Sequence, residues 1–314
     1  MQAEYLVTGG AGFIGSNIVE TLVNEGRTVR VLDDLSSGRR SNLAEVEGRF
    51  EWIEGSLLDG EVLERALHGV RFVLHLAALP SVVRSVREPE LVNRVNVDGT
   101  LKLLVKARDA GIERVVFSSS SSVYGNTQVL PKHEDLPTGP LSPYAITKLA
   151  GEQYCRVFHA LYGLKTFALR YFNVFGPRQN PNSAYAAVIP LFLAALARGE
   201  APVLYGDGGQ TRDFTYVENV VRANLACCTA PEAAAGQVYN VACGDRMAVK
   251  QLAQELARLM GREVAPVHAP ERPGDVRDSQ ADNRRAREGL GWQPTVDIPT
   301  GLRRTLEWFV KHES

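Results

Sequence analysis

Val7-Thr8-Gly9-Gly10-Ala11-Gly12-Phe13-Ile14-Gly15-Ser16 is the stretch from which the organisation of this chain follows. The apolar run Tyr5-Leu6-Val7 before it has the character of a buried parallel strand, and Ser16 to Val23 carries apolar residues at helical spacing. Gly9, Gly12 and Gly15 sit at the junction. Their missing side chains permit a tight turn, close approach of backbone to a pyrophosphate and close packing of helix on strand. The helix N-terminus adds free N–H groups and the positive end of its dipole. A second strand, Thr28 to Leu32, ends at Asp33, at the separation expected of a carboxylate that accepts from the adenosine ribose hydroxyls. That charge repels a 2′-phosphate and so favours NAD over NADP; Arg39 and Arg40 close by weaken the exclusion a little.

With 314 residues the chain is long enough for one large domain and a smaller one. Its formal net charge is −1 and the charges are mixed, which implies no general attraction to nucleic acid or to an anionic membrane. The start Met1-Gln2-Ala3-Glu4 shows no basic segment before a long apolar stretch, and no apolar run approaches the roughly 18 residues of a membrane span. The expectation is a soluble, cytoplasmic protein. Cys155, Cys227, Cys228 and Cys243 form neither a Cys-x-x-Cys pair nor a metal-ligand series, so no metal site is expected and they read as small buried groups in a reducing compartment.

Strand-like and helix-like stretches alternate through roughly the first 170 residues, which argues for a parallel sheet with helices on both faces. Further strands are expected around Phe50 to Ile53, from Arg71 to Leu76, from Arg114 to Phe117 and from Thr166 to Arg170, with helical patterning from Pro89 to Ala110. After Asp33 comes the polar loop Asp34-Leu35-Ser36-Ser37-Gly38-Arg39-Arg40. The strand to Leu76 runs into Ala77-Ala78, small residues that let backbone lie against a flat ligand. Ser118 to Ser122 follow Phe117, hydroxyls at a strand's C-terminal edge, where ligands bind in such sheets. Beyond Asn173 the pattern changes. Residues 1–173 read as the cofactor-binding domain and 174–314 mainly as a smaller substrate-binding one, with some later chain returning to the first.

A helix from Ser142-Pro143 carries Tyr144 and Lys148 one turn apart, on one face. A tyrosine hydroxyl with an ordinary pKa of about 10 is too weak an acid to serve as a base at neutral pH. A nearby ammonium and a positive nicotinamide ring both favour phenolate, and Lys148 also has the reach to bond the nicotinamide ribose.

These features occur in a particular order: the glycine turn, His75-Leu76-Ala77-Ala78, Asn96-Val97-Asp98-Gly99-Thr100, Ser118 through Gly125, Tyr144-x-x-x-Lys148 and Arg170-Tyr171-Phe172-Asn173. In that order, over essentially the whole chain, the sequence resembles the nucleotide-sugar epimerases and dehydratases of the extended short-chain dehydrogenase/reductase type. The resemblance implies an α/β protein with a Rossmann-type doubly wound parallel sheet. It implies tightly bound NAD, contacted by Phe13, Ile14, Asp34, Ser37, Gly38, Leu76, Ala77, Ala78, Asn96, Ser118 and Tyr171 besides the glycines and Asp33. Where many relatives carry an acid that contacts adenine this chain has Ser56, so that contact falls to Ser56 or to the backbone at Leu57.

Ser120, Tyr144 and Lys148 are the implied catalytic set, with Ser120 bridging the sugar O4 and the tyrosine. Dehydratases and decarboxylases of the family place acids beside the catalytic hydroxyl, where this chain has Ser121 and Ser122. Oxidation and reduction at C4 remain: Tyr144 takes the O4 proton as hydride passes to NAD, the 4-keto sugar swings about its diphosphate, and the hydride returns to its other face.

Asn173, Arg212 and Arg272 match positions that hold a phosphate or diphosphate, Asp275 one that accepts from the uridine ribose, and Tyr205 one that stacks on uracil. Leu79 to Ser85, with Arg84, and Asn182 to Pro190, with Ala187 and Val188, are similar to bacterial UDP-N-acetylglucosamine 4-epimerases. Ser279 falls where glucose-restricted members have a bulky tyrosine and leaves room for a 2-acetamido group, alongside UDP-glucose and UDP-galactose. The alternatives are a UDP-glucuronic acid 4-epimerase, with Arg84 for the carboxylate, an NAD(P)-dependent reductase, or a non-catalytic nucleotide sensor. The family also implies a homodimer through a four-helix bundle built from Val92 to Ala110 and Tyr144 to Leu161, with Leu101, Leu104, Val157 and Leu161 compatible.

Overall fold

Seven short strands pair in parallel into one sheet: β1 (Tyr5–Thr8), β2 (Val29–Asp33), β3 (Glu51–Glu54), β4 (Phe72–His75), β5 (Arg114–Ser120), β6 (Lys165–Tyr171) and β7 (Gln237–Val241). The computed structural model describes residues 3–180, 187–263, 265–271 and 277–313. The spatial order is β7-β6-β5-β4-β1-β2-β3, which reverses direction beside β1 and is that of a Rossmann-type doubly wound sheet. Ligands bind such sheets in the crevice at this switch point, outside the carboxyl ends of the strands.

The strands are apolar on both faces because helices cover both. Val7, Val31, Leu74, Val116 and Leu169 point to one side, where Ile18, Val19 and Leu22 of α1 (Phe13–Asn24) cover them together with Val220 and Cys227 of the later helix Val217–Thr229. Leu6, Leu32, Val73, Val115 and Ala168 point to the other. There they meet Leu103 and Leu104 of α2 (Gly99–Asp109) and Cys155 and Phe158 of α3 (Pro143–Tyr162). A further core lies beyond the carboxyl ends of the strands, with Phe192 of α4 (Val188–Ala197), Leu252 and Leu256 of α5 (Val249–Leu259), and Leu302 of α6 (Ile298–Glu313). β7 comes from this later part of the chain and completes the sheet by pairing with β6.

Two local departures from the sequence expectation bear on the site. β5 does not stop at Phe117: Ser118, Ser119 and Ser120 pair with Leu169, Arg170 and Tyr171 of β6, and only Ser121 and Ser122 turn away into a 3-10 turn. The helical stretch from Pro89 is interrupted by a π turn at Arg94–Asp98 before α2 begins, a device common where a helix faces a ligand.

The glycine turn is tight enough to exclude side chains. A Cβ on Gly15 would stand 2.1 Å from the Gly9 carbonyl oxygen; Gly9 has φ of +68° and its own Cβ would stand 2.7 Å from the Ala77 nitrogen. Gly15→Ala is therefore expected to cost about 1–3 kcal/mol, the usual range for overpacking, read as a lower urea midpoint. Gly60→Ala, at the start of the helix Gly60–Leu67 with nothing within 4 Å of the added methyl group, should leave the midpoint in place. Equal midpoints for the two variants would refute the close approach.

Candidate active site

A cavity of about 570 Å3 opens at the switch point, along the carboxyl ends of β1, β2, β4 and β5. Gly9, Gly12, Phe13, Ile14 and Gly15 line it from the turn into α1. No side chain caps the first turn of that helix, so its N–H groups remain available to a phosphate. Asp33 closes the other side of the turn. Its carboxylate, itself buried, accepts from the Ala11 N–H at 2.9 Å and the Leu35 N–H at 2.8 Å, which fixes it against the cavity with lone pairs left for hydroxyls. Burial raises its pKa and these two N–H groups oppose the rise. Asp34, Ser37, Leu57, Leu76, Ala77 and Ala78 line the same cavity. A turn without side chains, uncapped helical N–H groups and a terminal carboxylate are what a dinucleotide pyrophosphate and ribose require, so the residues fit NAD.

The cavity's deep end holds Ser118, Ser120, Ser121, Tyr144, Lys148 and Tyr171. Ser142 caps α3 by accepting from the Ala145 N–H at 3.2 Å, and Pro143 starts it, so Tyr144 and Lys148 emerge in its first turns facing β5. The Ser120 hydroxyl stands beside the Tyr144 phenol and accepts from the Ser122 N–H at 3.2 Å. Lys148 donates from Nζ to the Ser118 carbonyl at 2.7 Å, and the same Nζ lies 5.9 Å from the Tyr144 ring centre. Desolvation disfavours charge on both groups. The Tyr144 phenol is pushed up to about 12, with the Ser120 hydroxyl opposing; the Lys148 ammonium is pushed down to about 8, with Glu152 opposing. The chain's own residues therefore leave Tyr144 protonated at neutral pH, and its base form depends on positive charge brought beside it.

A second cavity, about 510 Å3, adjoins the first, and Asn173, Val174 and Ala187 line both. Asn173 has φ of +34°, a strained value for a residue other than glycine, and its side chain donates to the Asp213 carbonyl at 3.1 Å. Val188, Tyr205 and Arg212 line this second space. Tyr205 ends a strand, Val203–Tyr205, that pairs with Val267–Ala269. Arg212 donates to the carbonyls of Thr211, at 2.9 Å, and Arg277, at 3.3 Å. Ser279 is buried one pairing step away, its N–H bonded to the Thr211 carbonyl at 3.1 Å. Asp213 organises this corner: its carboxylate accepts from the N–H groups of Cys243, Gly244 and Ala281, each at 3.0–3.1 Å. Burial pushes its pKa up to about 7 against those bonds.

Other expected contacts are placed differently. Asn96 does not line the first cavity; its amide is occupied by the Leu79 N–H and carbonyl and by the Thr147 hydroxyl, and it clips the Ala78-Leu79 loop to α3, while Val95 faces the cavity instead. Ser56 accepts from the Leu58 N–H and stands off the cavity, leaving Leu57 and Gly55 at that wall. Gly38 packs against Ala11, where a Cβ would stand 2.9 Å from its carbonyl carbon. Arg84 lines neither cavity and pairs with Glu88 on its own helix. Arg272, Asp275 and the segment Asn182 to Ala186 lie outside the described residues. Sequence reasoning missed Ser36, Asn42, Arg178 and Gln179 in the first cavity, and also Trp308, which reaches it from α6 and carries no local signal of doing so.

Among the described residues no group of acids, histidines and cysteines is arranged to hold a metal, and no helix is long and apolar enough to cross a membrane.

Comparison with known proteins agrees with this geometry. The family described as NAD dependent epimerase/dehydratase matches residues 5–242. A UDP-glucose 4-epimerase of Mycolicibacterium smegmatis is 42% identical, over 97% of this chain and 97% of its own. Two solved structures superpose with a TM-score of 0.93 at 41% identity, each covering 99% of both chains. They are a UDP-N-acetylglucosamine 4-epimerase from Methanobrevibacter ruminantium in complex with UDP-N-acetylmuramic acid, and a UDP-glucose 4-epimerase from Thermotoga maritima with UDP-glucose.

Removing the phenol tests the deep end. Tyr144→Phe is expected to keep the fold and the bound NAD while lowering kcat by about 100-fold to 10,000-fold, the range for a lost acid–base group. The Lys148 ammonium is lost as the pH rises through about 8, so kcat should decline on that side. A profile flat to pH 10 would remove the ammonium from the chemistry.

Proposed function

The chain belongs to the NAD dependent epimerase/dehydratase family, and from that premise we propose that it inverts C4 of UDP-hexoses, turning over UDP-N-acetylglucosamine and UDP-N-acetylgalactosamine alongside UDP-glucose and UDP-galactose. One observation carries the choice of reaction. The only carboxylates among the described residues lining the cofactor cavity, Asp33 and Asp34, stand at the end of β2, on the far side of the glycine turn from Tyr144, so no acid stands beside Ser120 to remove a C5 proton or expel water. What remains at the deep end is a hydroxyl, a phenol and an ammonium, which suit proton movement at O4.

When bound, NAD supplies an acceptor, and later a donor, for the C4 hydrogen. Tyr144 takes the O4 proton and returns it, with Ser120 hydrogen-bonded between the sugar and the phenol. Lys148 contributes positive charge beside the phenol, which favours phenolate against the burial that opposes it. Arg212, with Asn173 at the junction of the two cavities, holds the diphosphate, so the 4-keto sugar swings about that linkage and presents its other face. Tyr205 lies against the base. In this reading residues 1–173 serve the cofactor and 174–314 mainly the sugar nucleotide.

The acetamido reading rests on the small size of Ser279, which is buried, bonded to Thr211 beside Arg212, and lines neither of the two cavities. All four cysteines are free thiols, which supports a reducing compartment such as the cytoplasm. For assembly, the outward face of α3 exposes Ile146, Val157, Leu161 and Tyr162, which supports a homodimer through this helix and the Pro89–Asp109 stretch. Leu104 contributes nothing to that face, because it is buried in the core under the sheet.

Purified protein without added cofactor, incubated with UDP-N-acetylglucosamine or UDP-glucose and followed by proton NMR, is expected to form both 4-epimers. No reaction in either, even after NAD is added, would overturn the proposal. Ser279→Tyr is expected to lower turnover of the acetamido substrate by at least about tenfold while sparing UDP-glucose, a discrimination reachable by filling a pocket; equal loss on both would remove Ser279 as the gate. Light scattering should give twice the 34.4 kDa chain mass, and Leu161→Asp should halve it.

A further inference from the structure

Three consecutive serines of β5 meet three residues of α3 spaced one turn apart. Ser120 stands beside Tyr144, the Ser118 carbonyl accepts from Lys148, and Ser119 donates from Oγ to Glu152 Oε1 at 2.5 Å. The first two ties belong to the chemistry already described. The third is buried behind it, with Glu152 only 2% and Ser119 2% exposed. Glu152 also accepts from Arg170 Nε at 2.8 Å and Nη2 at 2.7 Å, a two-pronged ion pair that is itself buried. Arg170 reaches it from β6, where it is the sheet partner of Ser119, and its guanidinium lies 4.5 Å over the Tyr124 ring.

We infer that Glu152 is a positioning residue for the reaction: with Ser119 and Arg170 it locks α3 onto β5 in the register that delivers Tyr144 and Lys148 to the cavity, and its negative charge holds Lys148 in the ammonium form. This rests on the catalytic reading of Lys148. An ion pair that served the fold alone would gain little over apolar side chains of the same size, whereas this one sits one helical turn beyond a lysine that must stay charged in a desolvated site. Among the described residues, the groups that face Lys148 leave Glu152 as its only anion. On its own helix these are Tyr144 and Glu152; from β4 comes His75, kept neutral by burial and bonded to Thr8 and Thr100. From β6 come Arg170 and Tyr171, the latter a neutral phenol bonded to Asn224. Burial lowers the Lys148 pKa and the Glu152 charge is what opposes it.

The test reads Lys148 directly, without substrate. Protein labelled with carbon-13 at the lysine ε position is titrated by NMR, the Lys148 signal being assigned by its loss in Lys148→Met. In Glu152→Gln, whose amide keeps the shape and one accepting oxygen but loses the charge and one prong of the Arg170 pair, the midpoint is expected about one pH unit or more below that of the unsubstituted protein. The alkaline decline of kcat should move down with it, while KM for UDP-glucose changes less than twofold. Should Glu152→Gln alone fail to fold because Arg170 is left unpaired, Glu152→Gln combined with Arg170→Gln restores neutrality and is titrated instead, with a smaller downward shift expected because the Arg170 cation leaves together with the anion. An unchanged midpoint in the folded variant, with only thermal stability lost, would overturn the inference and show a purely structural pair. Because the midpoint needs no turnover, it stands or falls apart from the substrate reading. That reading fails instead if the unsubstituted protein titrates as described but epimerises nothing.

Discussion

Gly9 and Gly15 come so close that no methyl group fits between them, and much of the molecule depends on that contact. Because α1 starts against the end of β1, its first N–H groups face the space outside the sheet rather than a neighbouring side chain. Asp33 is fixed by the same turn, since one of the N–H groups it accepts from belongs to Ala11 within it. The turn also presses on Ala77, so the end of β4 joins the same wall. A side chain on Gly15 would push the helix outward and loosen the packing of Ile18 and Leu22 on the sheet, and one on Gly9 would press on the end of β4 at Ala77.

At the deep end a single cause, removal from water, acts in opposite directions on the acid and on the bases. It raises the Tyr144 phenol and lowers the Lys148 ammonium and the His75 imidazole, since in each case the neutral form is the cheaper to bury. For His75 that outcome is final: it stays neutral and ties Thr8 to Thr100, joining β1 to α2 beneath the site. For Tyr144 and Lys148 it is opposed, by Ser120 at the phenol and by Glu152 at the ammonium. Losing one member of a buried ion pair typically costs about 3–5 kcal/mol, so the Glu152–Arg170 pair makes α3 hard to shift relative to β5.

The corner around the second cavity is built otherwise. No single element carries it; Asp213 gathers the backbone at Cys243, Gly244 and Ala281 by three N–H bonds, and Arg212 and Ser279 are brought side by side as a consequence. Asn173, strained at φ of +34°, stands where this corner meets the cofactor cavity. Backbone strain held at the junction of two ligand spaces is paid for by the packing around it.

What could be read from the sequence was whatever depends on neighbours in the chain. The glycine spacing, the run into Asp33 and the four-residue step from Tyr144 to Lys148 each encode a turn, a strand end or a helix face, and local backbone geometry is enough to interpret them. The parallel sheet followed from the alternation of such segments. What required the folded chain was every contact between remote segments. Asn96, within a motif, spends its amide on Leu79 and Thr147, and Trp308 enters the cofactor cavity from the last helix. The five serines looked alike as letters. Pairing of β5 with β6 divides them: Ser118 to Ser120 stay in the sheet while Ser121 and Ser122 turn away, and only the packing of α3 then brings Ser119 to Glu152 and Ser120 beside Tyr144.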